Sequence, residues 1–319
     1  MLYTRLVLRH SRFAYLDRRR GEIKTDPIYA AGFLEWCYNT RPGRFFTRLL
    51  LSRRFVSALC GWYYNQPWTR RKILPFARSM AVNLNELAQP IDSFSSFAAF
   101  IRREIDLTKR RIDPDPQTCV APCDGRLLAH LTIEAGSSIE IKGGRFDMKR
   151  LLGDAALAEK FDGGSLVVLR LYLSDYHHFH FPDSGIPGKP RSLPGRYFAV
   201  SPYATDWAVP FYGENHRVVT LFDSDHFGSI AMIEVGAFVV GSLRQCFVPG
   251  QRVAKGAHKG FFDLGGSIVV MLFEPGAVTI DKDLRDNTRA GLETFVFMGE
   301  SIGRAIAQKN VKQAMILTS

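Results

Sequence analysis

The sequence predicts an α+β protein: N-terminal amphipathic helices over residues 1–111, then a mostly antiparallel, β-rich domain over residues 112–319. Two observations carry this. Between Pro27 and Ile105 apolar residues recur at helical spacing. After the Asp113-Pro114-Asp115-Pro116 turn the runs become short, β-rich and separated by Gly, Pro and Asp. Charge divides the chain at the same place. Residues 1–111 hold 21 Lys and Arg against 8 Asp and Glu, whereas the remainder holds 21 against 23. A basic front on a near-neutral body suits a surface that meets anions, either nucleic acid or anionic lipid.

The elements follow in order. Residues 13–26 read as a polar hairpin with Gly21 in its turn. Helical runs then cover residues 28–38, 45–64, 68–80 and 93–105, with Pro27, Pro42 and Gly43 at starts and Pro67 at a boundary. In the second run Phe45, Phe46, Leu49 and Leu50 share a face that Arg53 also enters, so a break is expected near Ser52. Trp62, Tyr63, Tyr64 and Trp68 stand beside Arg70, Arg71 and Lys72, a combination that suits a membrane interface or a helical hairpin packed on a core. Strands are expected at residues 126–133, 137–143, 164–173, 216–222, 229–243 and 266–273, with one helix over 151–161.

Composition narrows the class. With 46% hydrophobic and 23% charged residues the chain is globular rather than disordered. Five irregularly spaced cysteines make no disulfide framework and no zinc pair, which points to a reducing compartment. Arginine interrupts the first residues where a signal peptide needs an apolar stretch, and no window offers the roughly 18–20 uncharged apolar residues of a spanning helix. A protein of this kind that touches a membrane lies on it.

Three constellations carry chemistry. Asp124-Gly125 is a lone acid in a tight turn before a strand. Asp175-Tyr176-His177-His178-Phe179-His180-Phe181-Pro182 gathers three of the eight histidines, without a further ligand pair to complete a metal site. Gly265-Gly266-Ser267 opens an apolar strand, placing a hydroxyl beside a flexible backbone. Each alone has an ordinary structural reading: a β-turn, a buried strand, a strand start.

In this order the three resemble the phosphatidylserine decarboxylase family. That family shows an Asp-Gly turn, a Tyr-His-x-x-His-x-Pro segment and a Gly-Ser strand whose apolar run ends in Leu-Phe, here Leu272-Phe273. Asn215-His216-Arg217-Val218-Val219, Val235-Gly236-Ala237 to Ser242, Lys255-Gly256 and Glu293-Thr294-Phe295 to Glu300 add to the likeness, which covers nearly the whole chain. The resemblance implies a proenzyme that makes its own pyruvoyl cofactor. Ser267 attacks the Gly266-Ser267 amide, with His180 as base and Asp124 orienting it, as in a Ser-His-Asp triad. The products are residues 1–266 and 267–319, the latter headed by the pyruvoyl group. The amine of phosphatidylserine condenses with that group, CO₂ leaves, and His177 returns a proton to the α-carbon. If residues 176–181 were all extended, His177 and His180 would face opposite sides, so a bend is required.

The resemblance further implies a peripheral protein on the cytoplasmic side of the cell membrane, bound to phosphatidylserine and anionic lipid. Its own cleaved chain is a partner, a homodimer stays open, and neither nucleic acid nor metal is called for. Departures from the commonest family pattern are Ile268, His178 and His216. The alternatives are a pyruvoyl enzyme for a soluble amino acid, and a non-catalytic biotinyl- or lipoyl-like module suggested by residues 253–266.

Overall fold

The computed structural model describes residues 14–26, 30–134, 136, 138–141, 144–200, 211–238, 243–264 and 267–306. Its centre is a ten-stranded sheet. In spatial order the strands are Arg191–Leu193, Arg217–Ser224, Gly228–Val235, Ser267–Phe273, Ser165–Leu171, Gly125–His130, Glu293–Val296, Ala14–Asp17 and Glu22–Thr25, with Gly185–Pro187 also pairing Arg217–Ser224. Neighbours are antiparallel except Ala14–Asp17, which runs parallel to Glu293–Val296.

The central strands read as unbroken apolar runs because both faces of the sheet are covered. Val269, Met271 and Phe273 point into one core with Phe179, Phe181, Phe222 and Phe262. Ile268, Val270 and Leu272 point into the other with Leu151, Leu152, Phe161 and Phe198. This is the period of two that a strand imposes. Over the first face lies a small sheet of Leu243–Gln245, His258–Phe262 and His178–His180, and a second small sheet joins Val278–Ile280, Ser301–Ala305 and Thr118–Val120.

The front third divides in two. The hairpin of Ala14–Asp17 and Glu22–Thr25, turning through Gly21 at φ +67°, does not belong with the helices. It extends the large sheet, so residues 1–111 are not helical throughout. The helices are Ala31–Asn39, Arg41–Phe46, Arg54–Tyr64, Ile73–Ser79 and Phe97–Ile101, with a π turn at Thr47–Leu51 and a 3-10 turn at Pro67–Lys72. Thr40 caps the second by accepting from Gly43 N at 3.0 Å, with Pro42 in the first turn. The expected break falls at Ser52 and Arg53, where the backbone leaves the helix for φ −88°, ψ 144°. Phe76, Phe94, Phe97 and Phe100 bury together with Leu264, so the last of these helices docks just ahead of Ser267.

One expectation is corrected. Residues 151–161 are not a single helix: Met148–Leu152 ends at Gly153 in the left-handed region (φ +61°), and Ala155–Lys160 restarts with Asp154 accepting from Leu157 N at 3.0 Å. A glycine able to adopt positive φ next to a capping aspartate outweighs the apolar periodicity.

A buried ion pair ties the small sheet to the large one. Lys259 and Glu234 are both fully buried, with Nζ 2.9 Å from Oε1, and Nζ also donates to Gln245 Oε1 (2.9 Å) and Thr220 Oγ1 (3.1 Å). Removing one partner strands the other's charge, at a cost of about 3–5 kcal/mol, whereas two apolar replacements of similar volume cost far less. Denaturant titration of Lys259→Met, Glu234→Leu and the double variant is therefore expected to show the double variant more stable than either single one.

Candidate active site

Ser267 begins its strand opposite Leu171. By alternation it shares the sheet face of Val269 and Met271, the face covered by Phe179, Phe181 and Phe262. The histidine strand lies on this side. The Ser267 hydroxyl is fully buried and has no hydrogen-bond partner among the described residues. A buried hydroxyl left unpaired forgoes about 1–3 kcal/mol. Gly265 and Gly266 lie outside the described residues. The chain before them is held by Leu264 in the helix-capped core and by Asp263, paired with Arg102 at 3.0 Å.

The segment leading to the histidines is a turn, not a strand. Asp175 accepts from Tyr172 N at 2.6 Å and pairs with buried Arg126, while Arg103 Nη2 donates to the carbonyls of Ser174 (2.5 Å) and Asp175 (2.9 Å). His177, fully buried, donates from Nδ1 to Asp175 O at 2.9 Å, which leaves Nε2 as the other working nitrogen. Extended backbone starts only at His178, paired with Phe261. The turn at residues 173–175 thus precedes both His177 and His180.

His180 donates from Nδ1 to Gly256 O at 3.0 Å, so its Nε2 carries the lone pair, which accepts from the Tyr176 hydroxyl at 3.2 Å. Burial pushes its pKa down to about 4, so the ring is a neutral base at pH 7. His178 is buried too. It donates from Nε2 to Arg102 O (2.9 Å), accepts at Nδ1 from His258 Nε2 (2.9 Å) and stacks on Tyr176 with centroids 4.8 Å apart. Burial holds its pKa down at about 3, and its contacts are those of a structural ring.

Asp124 is buried, but it does not hydrogen-bond His180. Its carboxylate accepts from Met298 N and from Arg110 Nη2, each at 2.8 Å, and Arg110 also reaches Glu86 at 2.8 Å. Burial raises the Asp124 pKa to about 6, against the pull of Arg110. The Tyr176 hydroxyl meets His180, and burial above all, with the Asp124 charge adding to it, pushes the Tyr176 pKa up. Direct orientation of His180 by Asp124, as the triad pattern expects, is thus replaced by contacts to Gly256 and Tyr176.

Sequence reasoning missed several groups. Tyr176 lay in the quoted motif without a role. Arg102, Arg103 and Arg110 were counted with a basic surface, yet Arg103 and Arg110 turn inward and are buried. The other resembling stretches are scaffolding. Asn215 closes three hydrogen bonds to the backbone of Phe198 and Gly236, and Arg217 holds the carbonyls of Leu151, Arg150 and Asn215. Gly256, at φ +74°, supplies the His180 acceptor. Residues 239–242 lie outside the described residues. Among those described, no group of three or more His, Cys, Asp and Glu is arranged to hold a metal ion.

Ser267, buried and without a hydrogen-bond partner among the described residues, lies on the sheet face that Phe179 and Phe181 of the histidine strand cover, and the comparison with known families makes the class a decarboxylase. The phosphatidylserine decarboxylase family model matches residues 97–304. The chain is 38% identical over 294 residues to a phosphatidylserine decarboxylase proenzyme of Chlamydia felis, covering 92% of this chain and 98% of that one. It is 36% identical to one of Desulfitobacterium hafniense (91% and 97%) and 34% identical to one of Fusobacterium nucleatum (91% and 96%). The chain belongs to the phosphatidylserine decarboxylase family. Membership in an enzyme family displaces the non-catalytic module.

Removing the Tyr176 hydroxyl tests the geometry around His180. A donor to the neutral ring disfavours its protonation, so Tyr176→Phe is expected to raise the His180 pKa from about 4, read by NMR titration of the ring. Stability is expected to fall by about 1 kcal/mol.

Proposed function

We propose that the chain cleaves itself at Gly266-Ser267 and then decarboxylates phosphatidylserine to phosphatidylethanolamine at a membrane surface. The observation that carries the reading is the Ser267 hydroxyl, buried and unpaired at the head of a strand on the histidine side of the sheet. The proenzyme names of the relatives agree with a cleaved chain.

Self-cleavage needs a base for a poor nucleophile. His180, neutral with a lone pair at Nε2, has the right form, and Tyr176 shares that lone pair until the serine proton arrives. The Ser267 oxygen adds to the Gly266 carbonyl, the C–N bond breaks, and an ester and a free amine result. Loss of the α-proton then expels the Gly266 carboxylate, and water releases ammonia from the new terminus. Burial without a partner fits Ser267 as the atom group consumed in this step. The pyruvoyl group so formed supplies an electrophilic carbonyl that takes up the electron pair released with CO₂.

The chain's own residues do the rest. His177, its Nδ1 fixed on Asp175 O, holds the proton returned to the substrate α-carbon. Asp124, fixed by Arg110 and the Met298 N–H, sets a negative charge beside Tyr176 and steadies the proton relay from Ser267 through His180. Membrane binding falls to the front helices. Phe45, Leu49, Phe55, Leu59, Trp62 and Trp68 are exposed there, among exposed Arg48, Arg53, Arg54 and Arg70. Exposed apolar groups beside cations match a lipid interface, with about 1 kcal/mol from each basic residue near anionic lipid. Among the described residues no helix is long and apolar enough to cross a membrane.

Intact mass of the purified protein tests cleavage: two pieces, 1–266 and 267–319, are expected, and one full-length chain for Ser267→Ala. A single wild-type mass with a free serine overturns the reading. His180→Ala is expected to stay uncleaved, whereas His177→Ala is expected to cleave yet lose roughly 10²–10⁴-fold in turnover of labelled phosphatidylserine.

The acid limb of self-cleavage follows from Asp124. Its carboxylate is ionised above about pH 6 and His180 is neutral above about pH 4, so cleavage is expected to be full at neutral pH and to fall as pH drops through 6. Gel densitometry after pH jumps reads this directly. Truncation of the first roughly 70 residues is expected to weaken binding to anionic vesicles, most at low salt, where charges are screened least.

A further inference from the structure

Arg110 serves two carboxylates with one nitrogen. Its Nη2 donates to Asp124 Oδ2 and to Glu86 Oε2, each at 2.8 Å. The two hydrogens on that nitrogen satisfy both acceptors, but the guanidinium carries a single charge. The Asp124 and Arg110 side chains are 4% and 3% exposed, whereas that of Glu86 is 19% exposed. Among the described residues no second cation forms an ion pair with either carboxylate. One positive charge thus faces two negative ones less than about 6 Å apart, a range in which like charges disfavour each other's ionisation.

Glu86 holds its place by backbone as well as by the ion pair. It ends the 3-10 turn Leu84–Glu86, where Asn83 accepts from Asn85 N at 3.2 Å. Asp106 N donates to Glu86 O at 2.8 Å, Ala88 N to Glu104 O at 3.1 Å, and Lys109 Nζ to Asn85 O at 2.7 Å. The Glu86 turn is therefore laced to the stretch of chain that ends in Arg110. The other ionisable groups within electrostatic reach of Asp124 are Asp175, Arg103, Tyr176 and Cys123. Asp175 is matched by Arg126, and Arg103 is bound to the Ser174 and Asp175 carbonyls. Burial pushes the Tyr176 phenol and the Cys123 thiol up, so both are neutral. Among these groups Glu86 is the carboxylate whose cation is the one that Asp124 uses.

We propose that Glu86 is a positioning residue of the self-cleavage site, dividing the Arg110 charge and so withholding part of it from Asp124. The inference rests on the role of Asp124 in self-cleavage given above. It places a control of the site's charge in the front third of the chain, on a side chain that water reaches. Burial raises the Asp124 pKa to about 6, Arg110 and the Met298 N–H oppose the rise, and the Asp175 and Glu86 charges add to it. Removing the Glu86 charge therefore favours ionised Asp124 and carries the acid limb of self-cleavage to lower pH.

Glu86→Gln removes the charge yet keeps an acceptor of the same size for Arg110, whereas Glu86→Asp keeps the charge. In the full-length, uncleaved Ser267→Ala chain, the Asp124 carboxyl carbon is followed by NMR against pH. Glu86→Gln is expected to lower its midpoint by roughly half a unit, the scale of one partly screened like charge, and Glu86→Asp to leave it close to the parent's. With Ser267 restored, the acid limb of self-cleavage is expected to move by the same amount, read by gel densitometry after pH jumps. At pH 5 Glu86→Gln is then expected to cleave about two to three times faster than the parent. A merely structural role would slow cleavage at every pH and leave the midpoint in place. An unmoved or raised Asp124 midpoint in Glu86→Gln, or the same downward shift in Glu86→Asp, overturns the assignment. A lowered NMR midpoint beside an unmoved cleavage limb upholds the sharing of Arg110 and overturns instead the role of Asp124 in self-cleavage.

Discussion

The guanidinium of Arg126 and the carboxylate of Asp175, both shut away from water, fix the turn from which the histidines hang. Arg126 also holds Asp26 at 2.5 Å, and Arg170 bridges Asp26 (3.2 Å) to Glu293 (2.6 Å). This one network joins the end of the N-terminal hairpin, two central strands and the strand Glu293–Val296. A buried charge deprived of its partner is strongly destabilising, so these elements are bound to one relative position. A further bond to the same Asp175 oxygen, from Tyr172 N, and the Arg103 bonds to the Ser174 and Asp175 carbonyls then leave His177 little freedom. The Asp175 carbonyl orients its ring at Nδ1.

Burial decides the chemistry of the other histidines. His180 and His178 are driven far toward the neutral form, and backbone carbonyls select which nitrogen keeps its proton. For His180 that leaves a lone pair at Nε2 throughout the neutral range. Asp124 works at one remove. A carboxylate in direct contact would raise the His180 pKa, whereas a carboxylate held by Arg110 and the Met298 N–H leaves the ring a free base.

The front third has two kinds of arginine. Arg41 and Arg54, on the helices Arg41–Phe46 and Arg54–Tyr64, are exposed among apolar side chains, while Arg103 and Arg110 are buried against the site. The same stretch of chain thus supplies a surface for anions and part of the wall of the site. Phe94, Phe97 and Phe100 make this possible, because their packing on Leu264 brings the helix end over the chain that leads into Ser267.

Much was legible from residue order alone. The switch from helical to strand periodicity, the break at Ser52, the central strands and the ordered Asp-Gly, Tyr-His and Gly-Ser motifs are local signals, set by backbone sterics and the alternation of buried faces. The hairpin at residues 14–25 was visible as a hairpin, but its place on the edge of the large sheet was not, since strand partners 278 residues apart leave no local trace (Tyr15 opposite Glu293). The split of residues 151–161 was overruled by one glycine and one cap. The residues of the candidate site were identifiable, whereas their partners were not. That Asp124 pairs with Arg110, that Tyr176 rather than Asp124 meets His180, and that Arg103 is buried with a free donor all depend on which distant side chains share one dry volume. Sequence states which groups can ionise. Only the packed structure states which of them lose water, and that loss sets their charge.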